Sequence, residues 1–573
     1  MGTTQAAVEE ESGVVRSRKP PKTVHTLSEN PLLADSTASL SESNEDSLNW
    51  SPSINQFRNA AFWTELVETT RSKLVQQFDE QLQQGLSELI TKANTESGNL
   101  LADSEYMNDK RPAVEKTSSK HLREKVYRRR DSVLTELFRI SHIRTVLHIF
   151  LAVLFLFSTN TLFNDLLQND KQVYAYHLDF FRSAFAGFTQ VVQCWLMMKI
   201  ATILIPYLGF MAWFTTRPFP RTPVLFDWLY LTAYISYQIG FILLPLKFIT
   251  SYHLGAASRA VVVFEQVRMV LKSHAFVRTC IGEGISYLKA PDQHSSRGDT
   301  SASQMNYPPI RWHPHFSSYL YFLFAPVLVY RESYPRTQNI RWSYVATNLL
   351  LTWGCVLLIY YVLARSFFVE FVNFGSTHEY GFREHILDLT INSLNGGLVM
   401  FGVFFASLHS WFNAFAEMLR FGDRLFYKDW WNATTYSGFY RSWNVVVHDW
   451  LHSYIYNDIQ RLFPRLQRTF VVGTVIILSA VVHEYILSVA LGFCYPVLFA
   501  FYVILGYPLF CIRASSRPFN VMLWISQFVG WGEMISLYTM EWYARKNCPP
   551  VLDSWLNFFV PQSWICRPAV SSV

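Results

Sequence analysis

Apolar and polar positions follow one another along this chain in long blocks. Residues 1–55 are rich in Ser, Glu, Asn and Thr. They hold too few apolar side chains to offset the entropy of ordering, which predicts a disordered tail. Across residues 56–95 the pattern changes. Phe62, Leu66, Val67, Leu74, Phe78, Leu82, Leu86 and Leu89 recur at roughly helical spacing and predict an amphipathic helix outside the membrane. Its apolar face can dock on its own domain or on a second copy, and with no other soluble core nearby self-association is favoured. Residues 96–138 are polar and then basic, ending in the run 123–130 (REKVYRRR), and read as a cytoplasmic linker.

From residue 139 onward apolar blocks dominate. They lie near 143–163, 185–213, 226–250, 343–368, 386–408, 469–493, 495–512 and 520–540. Each approaches the roughly 20 residues that cross a bilayer as a helix. Residues 319–330 (YLYFLFAPVLVY) are short and contain Pro326, so they read as a ninth span or a re-entrant piece. Residues 258–279 mix apolar and basic positions at helical spacing and predict a helix on the cytoplasmic interface. The fold class is an all-α polytopic membrane protein.

Composition agrees. Half of the 573 residues are hydrophobic and only 16% are charged, where a soluble protein carries about a quarter. The net charge of +6 sits beside apolar blocks, which suits a membrane surface and argues against nucleic acid. Arg128, Arg129 and Arg130, just before the first block, place the N-terminus in the cytoplasm. The first residues are acidic and polar and form no secretory signal, and Ala6 breaks a myristoylation motif. Cys194, Cys355, Cys494 and Cys511 fall in or beside apolar runs, and Cys280 in a basic loop. Cys548 and Cys566 lie in the polar tail, either as free thiols or as a disulfide. A disulfide requires an oxidising lumen, and with a cytoplasmic N-terminus that favours nine spans.

Two stretches carry the candidate chemistry. Residues 474–493 (TVIILSAVVHEYILSVALGF) form an apolar block with His483 and Glu484 near its middle. An ionisable group at membrane depth is costly and marks a functional site. Ser479 lies one turn before His483 on the same face. Residues 426–450 (FYKDWWNATTYSGFYRSWNVVVHDW) pack aromatics, amides, charges and a histidine into one non-periodic run. Within it Asn444 stands among Trp443 and apolar residues, able to steady the backbone or to donate to a developing oxyanion. His448 and His452 have the i, i+4 spacing of a metal pair. No third ligand is grouped with them, so no metal is expected, and His452 is placed on an exposed face of a helix from about Ser442 to Ile459. Arg461, Arg465 and Arg468 anchor a membrane boundary or attract an anionic substrate to it. Asn432 heads a glycosylation triplet, which the adjacent cytoplasmic arginines discount. No GxSxG, P-loop or GxGxxG is present, against a serine hydrolase, an NTPase and a nucleotide-dependent oxidoreductase.

The run Phe426-Tyr427-Lys428-Asp429-Trp430-Trp431-Asn432 resembles the FYxDWWN motif of the membrane-bound O-acyltransferase (MBOAT) family, in its sterol and diacylglycerol branches. Residues 413–432, 443–451, 479–499, 319–336 and 541–549 resemble the sterol branch more closely, and the likeness covers nearly everything after about Arg139. It implies an MBOAT fold over residues 139–573, with about nine transmembrane helices around an intramembrane reaction chamber and a cytoplasmic N-terminal helix. It further implies transfer of a long-chain acyl group from acyl-CoA, a co-substrate and not a cofactor, to the 3-hydroxyl of cholesterol or another sterol. His483 falls at the family's catalytic histidine and Asn444 at its active-site asparagine. Trp443, His448, Tyr456, Arg441, Arg468 and Ser479 fall where relatives line the acyl-CoA tunnel, and Trp431 joins them. Phe426, Tyr427, Asp429, Trp430 and Asn432 belong to the motif, with Tyr427 and Trp430 to Asn432 shaping the site. Gly438 departs from the asparagine expected there, which takes one side-chain contact from the CoA path. Cys548 and Cys566 match a lumenal disulfide. An endoplasmic reticulum location, a lumenal C-terminus and a homodimer or homotetramer are also implied. Diacylglycerol acyltransferase is the nearest alternative, and a proton-coupled transporter the one from another class.

Overall fold

The computed structural model describes residues 125–167, 179–217, 223–295, 313–375, 380–512, 516–550 and 555–566, with parts of 67–87. It divides the chain into two units, Met1–Ser119 and Lys120–Val573. In the first, the described positions are helical and exposed, Val67 and Leu74 among them. The tail expected over 1–55, the rest of the helix expected over 56–95, and positions 96–124 lie outside the described residues.

The second unit is helical throughout, with no strand among the described residues. A short α1 (Val133–Leu137) leads into α2 (Ser141–Leu167), α3 (Phe188–Thr216), α4 (Pro223–Ser251) and α5 (Ala256–Ser295). Then come α6 (Phe316–Phe324), α7 (Trp342–Phe371) and α8 (Phe382–Met418). The carboxyl-terminal part holds α9 (Tyr436–Trp443), α10 (445–462), α11 (Arg468–Leu491), α12 (Val497–Cys511) and α13 (Pro518–Asn547). Each of the eight expected apolar blocks coincides with a helix. Among the described residues five are long and apolar enough to cross a bilayer: α3, α4, α7, α8 and α11. Outward faces of α3 and α4 present Leu204, Leu208, Leu229 and Leu243, an apolar rim suited to lipid tails.

Three expectations need correction. The stretch 319–330, read as a ninth span or a re-entrant piece, forms no membrane-length helix: α6 has nine residues and stops at Ala325, ahead of Pro326, with Tyr319 and Phe322 wholly buried. Nine residues reach only about half of a bilayer core. The segment 258–279 does not lie on an interface. It forms the first half of α5, packed between α3 and α11, with Val262, Val263, Ala275 and Phe276 fully buried. Cys280 sits in that helix, buried, rather than in a loop. The basic residues of α5 go inward because partners meet them there. Lys272, 1% exposed, donates to the carbonyls of Phe322 (2.5 Å) and Leu323 (3.0 Å) at the end of α6 and of Ala325 (2.7 Å) just past it. Arg278 pairs with Asp458 at 2.7 Å.

Prolines inside two apolar helices free carbonyls that are satisfied from outside. Pro206 in α3 cannot donate to the Thr202 carbonyl, and the Tyr319 hydroxyl donates there instead at 2.5 Å. Pro245 in α4 frees the Phe241 carbonyl, which takes a bond from Gln266 Nε2 at 3.0 Å. The other end of Gln266 accepts from Tyr485 on α11 at 2.6 Å. Exposed carbonyls at membrane depth are costly, so these bonds lock α3, α4, α5, α6 and α11 together. Helices α8 and α13 meet at Gly396 and Gly532, where a Cβ on either residue would run into the opposite backbone.

Candidate active site

The FYKDWWN run has little regular structure of its own and is held by long-range bonds. Val445 N donates to the Phe426 carbonyl at 2.9 Å, and Lys428 N to the Ser442 carbonyl at 2.8 Å. These two bonds lace the motif to the junction of α9 and α10. Phe426, Tyr427 and Trp430 are buried, whereas Lys428, Asp429 and Asn432 are exposed. Trp430 packs edge-on against Trp443 (4.6 Å between centroids) and Phe404 (4.9 Å). The half-buried Trp431 offers its carbonyl to Asn520 at 3.0 Å and Trp524 at 3.3 Å on α13.

Asn444 breaks the helix expected from Ser442 to Ile459. Its backbone is extended (φ −135°, ψ 90°), ending α9 and starting α10. Its Oδ1 accepts from Val447 N at 3.1 Å, an N-cap for α10. With the carbonyl end so engaged, the amide's NH2 end is fixed in direction and is a donor only. On α10 the rings of His448, His452 and Tyr456 stack at 6.2 and 5.3 Å, one ladder along a helix face. Arg441, Arg461, Arg465 and Arg468 are exposed. Upstream, Thr435 Oγ1 caps α9 through Gly438 N at 3.0 Å, so position 438 contributes its backbone and no side-chain contact.

His483 lies mid-way along α11 with an accessible ring. Its Nδ1 is 2.7 Å from the Ser479 carbonyl. A carbonyl only accepts, so Nδ1 carries the proton and Nε2 presents the lone pair. The ring stacks on Tyr502 of α12 at 5.6 Å, Tyr502 meets Tyr440 of α9 at 5.8 Å, and Tyr440 lies one turn before Asn444. The α10 turn 451–456 also packs on α11. The two sequence stretches therefore adjoin through aromatic contacts.

Glu484 does not share the accessible side of His483. It is buried and accepts from Tyr538 Oη at 2.9 Å and from Phe499 N at 3.2 Å. Phe499 opens the turn that carries Tyr502, so Glu484 holds the ring on which His483 stacks. Both bonds need an acceptor and neither needs a charge. Glu484→Gln is expected to keep kcat within about threefold of wild type, while Glu484→Leu, which strands two buried donors, lowers it about tenfold or more. Steady-state acyl transfer by the two variants checks this.

Sequence reasoning passed over His409. It is buried in α8, with Nδ1 2.7 Å from the Tyr427 hydroxyl, and Asn413 one turn later donates to its carbonyl at 2.8 Å. It falls one residue beyond the apolar block 386–408; extending the rule for ionisable groups by one turn finds it. Tyr440 and Tyr502 carried no sequence signal. Helix α8 widens to i→i+5 bonding over Phe404–Trp411, α10 over Leu451–Tyr456 and α12 over Phe501–Gly506. Such π-turns collect at functional sites because they re-aim side chains. At the far end of α13, Cys548 and Cys566 form a disulfide.

The family model described as "MBOAT, membrane-bound O-acyltransferase family" matches residues 180–540. Sterol O-acyltransferase 1 of Mus musculus is 39% identical over 447 residues, covering 77% of this chain and 79% of that protein. Sterol O-acyltransferase 2 of Mus musculus is 37% identical over 517 residues (88% of this chain, 93% of that protein), and its Homo sapiens counterpart 36% over 516 (88% and 92%). The matched region holds the laced motif, the capped Asn444 and the His483 helix, and the chain belongs to the membrane-bound O-acyltransferase family.

Proposed function

We infer that this protein is an acyl-CoA:sterol O-acyltransferase, making a sterol ester and CoA from a long-chain acyl-CoA and cholesterol or a related sterol. The observation that carries the reading is a free imidazole Nε2 on an apolar helix, in a chain whose relatives over most of its length are sterol O-acyltransferases. A sterol hydroxyl is a weak nucleophile, and a general base corrects that. His483 Nε2 takes the proton as the hydroxyl oxygen attacks the thioester carbonyl carbon. The Asn444 NH2 group donates to the oxyanion that forms. Collapse breaks the C–S bond, and the imidazolium returns its proton to the departing thiolate, giving CoA. CoA is charged and enters from the cytoplasm, past Arg461, Arg465 and Arg468, with His448, Tyr456, Trp443, Arg441 and Ser479 along its path. The sterol is apolar and arrives through the bilayer. A site at membrane depth serves both and keeps water from the thioester.

The same reading takes the enzyme as a multi-pass protein of the endoplasmic reticulum membrane, N-terminus cytoplasmic and C-terminus lumenal, assembled as a dimer or tetramer. Purified enzyme given labelled oleoyl-CoA with cholesterol and diacylglycerol in competition tests the substrate assignment. Cholesteryl oleate is the expected product. A clear preference for diacylglycerol overturns the sterol assignment and leaves the acyltransferase chemistry standing.

A further inference from the structure

The basic run before the first apolar helix does more than orient the chain. It runs as an extended segment across the second unit, with Lys125, Tyr127 and Arg130 turned inward and Val126, Arg128 and Arg129 exposed. Arg130 forms a two-point ion pair with Asp423, Nε to Oδ1 at 2.7 Å and Nη2 to Oδ2 at 3.1 Å. Its backbone pairs with the same loop: Arg130 N donates to the Gly422 carbonyl at 2.9 Å, and Arg424 N to the Arg130 carbonyl at 3.1 Å. Arg128 N adds a bond to Asp423 Oδ2 at 3.1 Å. The Tyr127 hydroxyl donates to the Val329 carbonyl at 3.3 Å, its ring edge-on to Tyr334. Lys125 forms an ion pair with Asp449, five residues into α10 from Asn444. Just beyond, Ser132 Oγ accepts from Asn413 at 3.1 Å, and Leu134 N donates to the hydroxyl of Tyr427 at 3.4 Å.

These ties fall on both sides of the site. Asp423 precedes the motif by three residues, in a loop with no regular structure, and Asp449 lies on the helix that Asn444 caps. A small cleft lined by Lys125, Tyr127, Asp423, Phe426 and Asp449 marks where segment, motif and helix converge. Asp423 is 4% exposed, a buried carboxylate whose only cation is Arg130 among the described residues. Burial works against the charge of Asp449, yet hydrogen bonds from His448 and Lys125 hold its carboxyl below the ordinary range.

We propose that residues 125–130 are a positioning strap for acyl transfer, in which Lys125 and Arg130 fix α10 and the motif loop against each other and so set where Asn444 stands. This rests on the assignment of Asn444 to the site. Neither cation reaches the reacting atoms. Their effect is on geometry, where a shift of about 1 Å can cost up to about a hundredfold in rate.

The test uses full-length detergent-purified enzyme, with kcat per folded protein and KM for cholesterol and for oleoyl-CoA measured separately. Lys125→Ala and Arg130→Ala are each expected to lower kcat about tenfold while KM for cholesterol stays within about twofold. The charge-swapped pair Lys125→Asp with Asp449→Lys is expected to recover most of the kcat that Lys125→Asp alone loses. A segment that serves only stability would lower the yield or melting temperature and leave kcat per folded protein unchanged, with no recovery on swapping; either result overturns the strap. If Arg130→Ala does not fold, the partly exposed Lys125–Asp449 pair decides alone. Wild-type esterification of cholesterol, run alongside, reports on the substrate reading independently.

Discussion

Replacing His483 with alanine is expected to lower kcat for sterol ester formation about 10³-fold, the middle of the range that a positioned general base contributes. The amount, assembly and melting behaviour of the protein should stay near wild type. Among the described residues the ring's hydrogen bonds are both to Ser479 one turn back, 2.7 Å from Nδ1 to its carbonyl and 3.5 Å to its hydroxyl. The ring also stacks on Tyr502. Losing these leaves no buried donor stranded. The loss should fall on kcat with little change in KM for either substrate, because a base acts in the transition state and not in ground-state binding. Labelled oleoyl-CoA turnover with cholesterol, wild type beside His483→Ala, measures it. Turnover within a few-fold of wild type removes the histidine from the chemistry.

His483 was legible in the sequence because its signal is local: an ionisable residue in an apolar block, with Ser479 one turn before it. The blocks were legible for the same reason, since length and hydropathy of a run are read along one dimension. The errors arose where partners are remote. Residues 258–279 look interfacial until the carbonyls of Phe322 and Leu323 and the carboxylate of Asp458 are brought to Lys272 and Arg278. The basic run 123–130 satisfies a positive-inside rule along the chain, and only folding reveals that Lys125 and Arg130 face Asp449 and Asp423.

The break at Asn444 belongs to the same class. Trp443 and Val445 sit comfortably in a helix, and no proline or glycine marks an end. What ends α9 is the bond from Val445 N to the carbonyl of Phe426, available only once the motif is in place. Likewise Tyr502 is one tyrosine among 30 until α12 widens and turns it to His483. Residue types were readable from sequence; the bonds that aim them were not.

Asn444 serves as a cap and, in the proposed mechanism, as a donor, and substitutions separate the two roles. Its Oδ1 caps α10 through Val447 N at 3.1 Å. Aspartate and serine also offer a cap oxygen, but neither reproduces the NH2 group. Removing a cap costs typically about 1 kcal/mol of stability, whereas removing an oxyanion donor costs about 2.7–4 kcal/mol of barrier. Asn444→Asp and Asn444→Ser are therefore expected to fold and melt like wild type while kcat falls about 10²–10³-fold. Aspartate should be the slower of the two, since a carboxylate would face the developing negative charge. Asn444→Ala loses both roles and should show the same fall in kcat together with a lower melting temperature. If the serine variant turns over within about threefold of wild type while alanine does not, the cap alone accounts for Asn444, and the oxyanion must be held by another donor.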